Sequence, residues 1–249
     1  MKLSLITVVY NNEITIEETI LSVLSQTYSP IEYIIIDGKS SDNTLSIINK
    51  YKDKVTAIIS EPDKGIYDAM NKGIDMATGD LIGILNSDDI FIDNQILSKI
   101  VHEFKTRNID ALYGNISYFS TEKPGIIARY WQSKPYYSTF FDDGNVPPHP
   151  ALFVKKSIYE AIGKYKIHYK IAADYEFMLR MLKIHDFKSY FLDETIVKMR
   201  LGGVSNKGLS SYIISTKELR NTWEINGLKY PLSLYMLRPY IKIKQLLFK

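Results

Sequence analysis

Alternation is what most constrains this chain. Over residues 1–89, apolar runs rich in β-branched residues take turns with segments of helical spacing, separated only by short polar connections. Residues 3–10 (L-S-L-I-T-V-V-Y) are nearly continuous in apolar character, which fits a strand covered on both faces. Residues 13–26 set Ile16, Ile20, Val23 and Leu24 at helical spacing before Tyr28-Ser29-Pro30 stops the run. Residues 31–36 predict a second strand, and residues 41–51 a helix capped by Ser41 or Asp42. A third strand follows at 55–59, then a helix at 66–77 with Thr78-Gly79 as its C-cap, then a fourth strand at 81–85. Right-handed crossovers turn this β-α-β-α-β-α-β order into an α/β fold with a parallel sheet and helices on both faces.

In such a sheet the ligand site lies beyond the carboxyl ends of the strands. Each strand here ends in polar groups: Thr7 with Tyr10-Asn11, then Asp37, then the segment from Glu61 to Lys64, then Asn86-Ser87-Asp88-Asp89. Any one of them reads as an ordinary cap or turn, but their convergence on one edge is hard to obtain by chance. The sharpest is L-I-G-I-L-N-S-D-D at 81–89, where an apolar run delivers two adjacent carboxylates. Such a pair repels itself, and burial adds to the cost. A divalent cation relieves both penalties, and Mg²⁺ or Mn²⁺ is suited to carboxylate and phosphate oxygens. Alone, S-D-D reads as a helix cap; after an open α/β pattern the metal reading leads.

Composition removes several classes. The chain has 249 residues, 45% apolar and 24% charged, enough for one large domain or two small ones. A net charge of +3 does not suggest a nucleic-acid binder. No cysteine is present, which excludes disulfides, thiolate metal sites and thiol nucleophiles. No apolar run reaches membrane-spanning length and the start does not read as a signal peptide, so the expected compartment is the cytoplasm.

After Asp89 the pattern loosens. A helix is predicted at 96–104, strands at 111–119 and 126–131 around a turn at 121–125, and a long aromatic- and Pro-rich loop at 136–150. Then come a short strand at 151–154, a helix at 157–162, a helix opening at A-A-D-Y-E (172–176), strands at 187–192 and 195–200, and a turn at 202–206. From Leu209 onward the pattern is helical. Beyond Glu224 it is free of acids but carries Lys229, Arg238, Lys242, Lys244 and Lys249 among apolar residues. That basic amphipathic tail suits the face of an anionic membrane, or a helix packed back with its lysines in water. The expected domains are a catalytic unit at 1–206, divided into a donor half (1–89) and an acceptor half (90–206), and a C-terminal helical extension at 207–249.

Two further acids stand out. Asp37 is placed to accept from a base N–H or a ribose hydroxyl near Thr7, Tyr10 and Asn11, although Asp-Gly is also a common turn. Asp174 follows two alanines that leave room for a ligand. It fits a general base, or a carboxylate that simply complements the helix dipole.

Taken together, several blocks resemble the family 2 glycosyltransferases, of the bacterial polysaccharide, O-antigen and capsule type. They are T-V-V-Y-N-N at 7–12, S-V-L-S-Q-T-Y at 22–28, I-I-D-G-K-S-S-D-N-T at 35–44, E-P-D-K-G-I-Y-D-A-M-N-K-G-I at 61–74, and A-T-G-D before L-I-G-I-L-N-S-D-D. Further on stand H-P-A-L-F-V-K-K-S at 149–157, A-D-Y-E-F-M-L-R at 173–180 and R-L-G-G-V-S at 200–205. The resemblance implies the GT-A nucleotide-diphospho-sugar transferase fold, with an open, mostly parallel sheet. It implies a nucleotide-sugar donor, usually a uridine one, held by Thr7, Val8, Tyr10, Asn11, Asp37, Lys64, Gly65, Asn71, Asn86, Ser87 and Asp88. Asp89 would take the Mn²⁺ or Mg²⁺ ion, with Asp88 and His149 as further candidate ligands. Asp174 would be the base, and Tyr175, Glu176 and Arg200 candidate acceptor contacts. Ala173 stands where relatives carry the first acid of a Glu-Asp pair, Leu201-Gly202 where many carry a His, and Asn86 where many carry an acid.

The implied reaction is an inverting transfer to a glycan or lipid-linked acceptor in surface polysaccharide or lipopolysaccharide synthesis, by a peripheral enzyme at the cytoplasmic face that is a candidate homodimer. A non-catalytic sugar-nucleotide-binding module is the alternative, given Ala173. A nucleotidyltransferase is disfavoured, because Tyr10-Asn11-Asn12-Glu13 replaces the Gly-rich basic loop of that class.

Overall fold

The computed structural model describes residues 1–120, 127–201 and 208–234, with the backbone alone at 208–212. The turns expected at 121–125 and 202–206 and the basic tail at 235–249 lie outside the described residues.

The alternating half folds as β1 (Leu3–Val9), α1 (Ile16–Leu24), β2 (Ile31–Asp37), α2 (Thr44–Asn49), β3 (Ala57–Ser60), α3 (Ile66–Met76) and β4 (Leu81–Ile84). The remainder is β5 (Ile90–Phe91), α4 (Ile96–Thr106), β6 (Ala111–Phe119), β7 (Ile127–Trp131), a 3-10 turn (His149–Ala151), β8 (Leu152–Lys155), α5 (Lys156–Ile162), α6 (Ala173–Leu179), a π-helical turn (Arg180–Ile184), β9 (Ser189–Arg200) and α7 (Gly208–Ile225). One sheet runs in the order β3-β2-β1-β4-β8-β6-β9-β5, with β7 paired to β6. β1, β2, β3 and β4 are parallel, as their helical crossovers require. Beyond β4 the sheet becomes mixed: β8 is antiparallel to both β4 and β6, while β9 is parallel to β6.

β1 shows why its run is apolar throughout. Leu3, Leu5 and Val9 face the layer built by Ile16 and Ile20 of α1 and Ile100 of α4. Ile6 and Val8 face the opposite layer, with Met70 and Ile74 of α3 and Phe177 of α6. Both faces are covered, so strand alternation moves side chains between two cores instead of between core and water. Gly73 lets α3 lie directly on this sheet, since a Cβ there would stand 2.4 Å from Ile6 Cγ2.

Some boundaries differ from expectation for identifiable reasons. β3 begins at Ala57 because a 3-10 turn, Lys52–Lys54, takes up the approach. Asn43, not Ser41 or Asp42, holds the N-cap position of α2 and makes no side-chain cap bond; Asp42 reaches in to accept the Thr44 N–H at 3.0 Å. α3 ends at Ala77 in extended backbone, so Thr78-Gly79 is not a left-handed cap. Gly79 is small because its N–H meets Ser4 Oγ at 2.9 Å, and a Cβ would sit 2.8 Å from the Lys2 carbonyl. The buried Glu32 organises that corner, accepting from Lys2 Nζ (2.6 Å), the Thr78 N–H (2.7 Å) and the Thr78 hydroxyl (2.6 Å). Burial pushes the Glu32 carboxyl up, and the bonds from Lys2, Ser4 and Thr78 outweigh it, bringing it down to about 2. The two strands expected at 187–192 and 195–200 are one strand, β9. Its register against β6 shifts beside Gly114 and Asn115, where Asn115 Nδ2 holds Asp193 at 3.0 Å.

α7 falls in the segment expected as a separate extension, and it packs on α6. Trp223 is buried, and its indole N–H donates to the Tyr175 hydroxyl at 3.0 Å.

Candidate functional site

The carboxyl ends of β1, β2 and β4 are tied into one rim. Asn11 adopts a left-handed conformation (φ 47°), which Asn tolerates better than most residues. Its N–H donates to Ser40 Oγ and its Oδ1 accepts from the Ser41 N–H, each at 2.8 Å. Asn12 Nδ2 donates to Ser87 Oγ at 2.9 Å, and the Thr15 hydroxyl donates to the Ser87 carbonyl at 2.9 Å. The turn after β1 therefore clamps the turn after β2 on one side and the end of β4 on the other. Tyr10 is 64% exposed and stands over Gly38. A Cβ on Gly38 would lie 2.4 Å from Asp63 Oδ2 and 3.3 Å from the Tyr10 ring, so only glycine lets Asp63 approach this closely.

The candidate donor residues fall into two groups. Tyr10, Asn11, Lys64 and Gly65 lie on exposed turns of this rim. Thr7, Val8, Asp37 and Asn71 make their own bonds or packing inside it. The Thr7 hydroxyl pairs with the Tyr33 hydroxyl at 3.1 Å, and Val8 packs in the α3-side core. Asp37 is wholly buried and accepts from both the Ser40 and Ser60 hydroxyls. Asn71 clamps the Tyr165 backbone, donating to its carbonyl (2.8 Å) and accepting its N–H (3.0 Å). Lys64 begins the turn into α3, its N–H held by Asp68 at 2.9 Å, and Gly65 (φ 117°) makes the bend.

Asp88 and Asp89 lie in the tight turn between β4 and β5. Asp89 has no exposed surface; its Oδ2 accepts from Asn86 Nδ2 at 3.1 Å. Among the described residues, Asp89 Oδ1, Asn86 Oδ1 and Arg200 Nε are buried without a hydrogen-bond partner. A buried group left this way costs about 1–3 kcal/mol, more if charged. Burial, and then the adjacent Asp88, push the Asp89 carboxyl well above the usual carboxylate range, while Asn86 and Arg200 act the other way. Burial raises Asp88 as well. Arg200, on the last turn of β9, pairs with Glu18 and lies 4.7 Å over the Phe119 ring. No cluster of three His, Asp or Glu ligands occurs among the described residues. The adjacent carboxylates Asp88 and Asp89, with the unpartnered oxygens of Asp89 and Asn86 beside them, nevertheless fit a hard cation whose remaining positions are filled by phosphate and water.

Asp174 lies in the first turn of α6. Its Oδ1 accepts from the Tyr67 hydroxyl at 3.1 Å and from the Tyr175 N–H at 2.9 Å. No hydrogen bond engages its Oδ2 among the described residues. Tyr67 reaches it from α3 with a single hydroxyl proton shared between Asp174 Oδ1 and the nearer Ile171 carbonyl at 2.6 Å; burial and then Asp174 hold that hydroxyl far above the usual tyrosine range. Behind them, His149 Nε2 pairs with the Tyr165 hydroxyl at 2.9 Å. Burial lowers the His149 pKa against the pull of Asp174. The 3-10 turn carrying His149 leads into β8, whose register with β4 (Gly83↔Phe153) brings that turn alongside the end of β4.

Glu176 turns away from this face. It is fully buried and grips Arg180 through two bonds of 2.9 and 3.0 Å, while Arg180 also donates to the carbonyls of Ile162, Gly163 and Lys164. Tyr175 is engaged with Trp223 and lies edge-on to Phe141. Sequence reasoning passed over Tyr67 and Asn12. Each acts on a partner far along the chain, and no short-range pattern marks that.

The description "Glycosyl transferase family 2" matches residues 4–160. An uncharacterized glycosyltransferase of Mycobacterium tuberculosis is 34% identical over 180 residues, 71% of this chain and 67% of that protein. The Escherichia coli UDP-Glc:alpha-D-GlcNAc-diphosphoundecaprenol beta-1,3-glucosyltransferase WfaP is 38% identical over 133 residues, 53% of this chain and 51% of its own length. Among solved structures, S. aureus TarS superposes with a TM-score of 0.66 at 18% identity, over 90% of this chain and 44% of TarS. The mannosyltransferase PcManGT from Pyrobaculum calidifontis, solved with GDP-Man and Mn2+, superposes at 0.65 and 16% identity, over 93% of this chain and 66% of that one. This chain thus spans about half the length of WfaP and less than half of TarS. With the fold, the motif blocks and the family match in agreement, the chain belongs to glycosyl transferase family 2 and is a glycosyltransferase of the GT-A fold.

Proposed function

We propose that this enzyme transfers a sugar, with inversion, from a uridine-diphosphate donor to a hydroxyl of a glycan or lipid-linked oligosaccharide. The observation that carries the reading is the buried Asp89 just beyond β4, where Asp89 Oδ1 and Asn86 Oδ1 have no hydrogen-bond partner among the described residues, beside the turn after β1 that grips Ser87. The relatives support the substrate class. WfaP is named for a UDP-Glc donor and a diphosphoundecaprenol-linked acceptor, and TarS has been solved with UDP-GlcNAc.

In this reading Tyr10 walls the base and Asn11 and Lys64 line the nucleotide, while Asp37 shapes the pocket through Ser40 and Ser60. Asp89, with Asp88 beside it, holds Mn²⁺ or Mg²⁺. When bound, that ion supplies positive charge against the departing diphosphate. Asp174 takes the acceptor proton on Oδ2, with Oδ1 fixed by Tyr67 and the Tyr175 N–H. The acceptor oxygen forms the new bond to the anomeric carbon as the bond to the diphosphate breaks, and its electron pair leaves with the nucleotide. Charge development is oxocarbenium-like. Holding base and acceptor in line supplies the entropic part of the acceleration.

The basic segment from Lys229 onward is proposed to touch an anionic cytoplasmic membrane face. Among the described residues no helix is long and apolar enough to cross a membrane. Flotation with anionic vesicles, with and without residues 231–249, tests that part.

The test of the activity is nucleotide release from UDP-Glc, UDP-GlcNAc and GDP-Man with Mn²⁺. A uridine donor is expected to be turned over, and Asp174→Asn to bind UDP normally while turnover falls roughly 10²–10⁴-fold. Unchanged turnover in Asp174→Asn removes it as the base.

A further inference from the structure

We infer that Glu218, on helix α7, is a positioning residue for Asp174. α6 begins without a cap of its own: Ala172 occupies the N-cap position and offers no side-chain oxygen. The approach to that helix instead converges on one distant carboxylate. Glu218 accepts the N–H of Lys170 at 2.8 Å, of Ile171 at 2.9 Å and of Ala172 at 3.0 Å. Bonds from backbone N–H groups to an ionised acceptor are among the stronger neutral–charged hydrogen bonds, and a negative charge there also complements the helix dipole.

The same peptide segment is gripped from its other side. The Ile171 carbonyl accepts from the Tyr67 hydroxyl at 2.6 Å, and that hydroxyl also reaches Asp174 Oδ1. Residues 170–172 are therefore held through their N–H groups by α7 and through a carbonyl by α3, and Asp174 sits two residues beyond. α6 has seven residues before it passes into the π-helical turn Arg180–Ile184, and the two together are still too short to be stable by local propensity alone. Tyr169 adds a nearby tether, its hydroxyl donating to Asn221 Oδ1 at 2.8 Å. α7 is thus a brace that sets where the carboxylate of Asp174 stands.

This inference rests on Asp174 being the base. The experiment measures UDP-GlcNAc turnover, UDP binding by calorimetry and amide hydrogen exchange for wild type, Glu218→Gln, Asn221→Ala, Asp174→Asn and the double variant Glu218→Gln/Asp174→Asn. A Gln side chain keeps the size but presents a single acceptor oxygen. Glu218→Gln is expected to lower turnover about tenfold or more, with UDP affinity within about twofold, since a misplacement of about 1 Å costs on the order of 100-fold. It is expected to add nothing in the Asp174→Asn background and to speed exchange at the amides of 170–172 while β1 to β4 stay protected. Asn221→Ala, which loosens the same interface without touching those amides, is expected to have the smaller effect on turnover.

Four results would each overturn the inference: wild-type turnover in Glu218→Gln, unchanged exchange at 170–172, a loss equal to that of Asn221→Ala, or a loss that adds to Asp174→Asn. If Asp174→Asn itself turns over like wild type, the assignment of the base fails, and the exchange data alone still decide whether Glu218 holds the segment.

Discussion

Asp89 follows β4 and Asp174 opens α6, and the protein treats the two acids oppositely. Asp89 is buried, crowded by Asp88, and keeps an oxygen with no partner among the described residues. Asp174 is partly open, with one oxygen fixed by a tyrosine and a backbone amide and the other unengaged among the described residues. The first arrangement is unfavourable until something positive arrives; the second is complete beforehand. A site that recruits a charged ligand needs the former, and a base that must meet its proton at one place needs the latter.

The largest test of that contrast is substitution of each acid. Asp89→Asn and Asp174→Asn are both expected to abolish transfer, by roughly 10²-fold or more. Only Asp89→Asn is expected to lose cation-dependent UDP binding, and calorimetry on both variants separates them. Identical binding defects in the two would erase the distinction.

Next in size is metal removal. Saturating Mn²⁺ with UDP should stabilise the fold through mass action by about 2.7 kcal/mol at 100 times the dissociation constant, read as a rise in Tm. EDTA should cancel that gain in wild type, and Asp89→Asn should never show it.

A smaller effect follows from pH. Asp88 and Asp89 bind their protons more tightly in the folded chain than in the unfolded one. Without metal, stability should therefore fall as pH rises above the unfolded value of 3.8 toward their raised folded values. Mn²⁺, which favours the ionised pair, should flatten that fall, and Tm profiles from pH 4 to 8 with EDTA or Mn²⁺ measure it.

The smallest concerns Glu32, an acid with the opposite shift. Its depressed carboxyl contributes stability that is present above the unfolded value of 4.5 and lost as pH falls toward about 2. Glu32→Gln should cost about 1–2 kcal/mol at neutral pH once screening at the exposed Lys2 ammonium is allowed for, and leave transfer intact. Urea denaturation gives the value.

The same contrast explains what was legible in the sequence. Asp88-Asp89 announces itself because β4 is a local apolar run that stops at adjacent acids, and the parallel βαβ order alone says where such an end must lie. β1, β2, β4 and α3 accordingly begin and end close to where their patterns predict. Asp174 was legible as a residue type at a helix start, but its surroundings were not. Tyr67 lies in another helix, and Glu218 and Trp223 in a third. The burial of Glu176 against Arg180 was equally hidden, since an i,i+4 pair looks the same on a core face as on a solvated one. Gly79 read as a cap because glycine after a helix usually means a left-handed turn; here its smallness serves contact with Lys2 and Ser4. Beyond β4, pairing joins β6 to β8 and β9 across long separations, and strand alternation does not encode which edges meet.

The most direct measurement is a calorimetric titration of UDP into wild type and Asp89→Asn, with Mn²⁺ and with EDTA. The expected result is tight binding in wild type with Mn²⁺, weakened by EDTA, and no Mn²⁺-dependent gain in Asp89→Asn. Equal UDP affinity in all four conditions would contradict the assignment of the Asp88–Asp89 turn as a cation-dependent donor site.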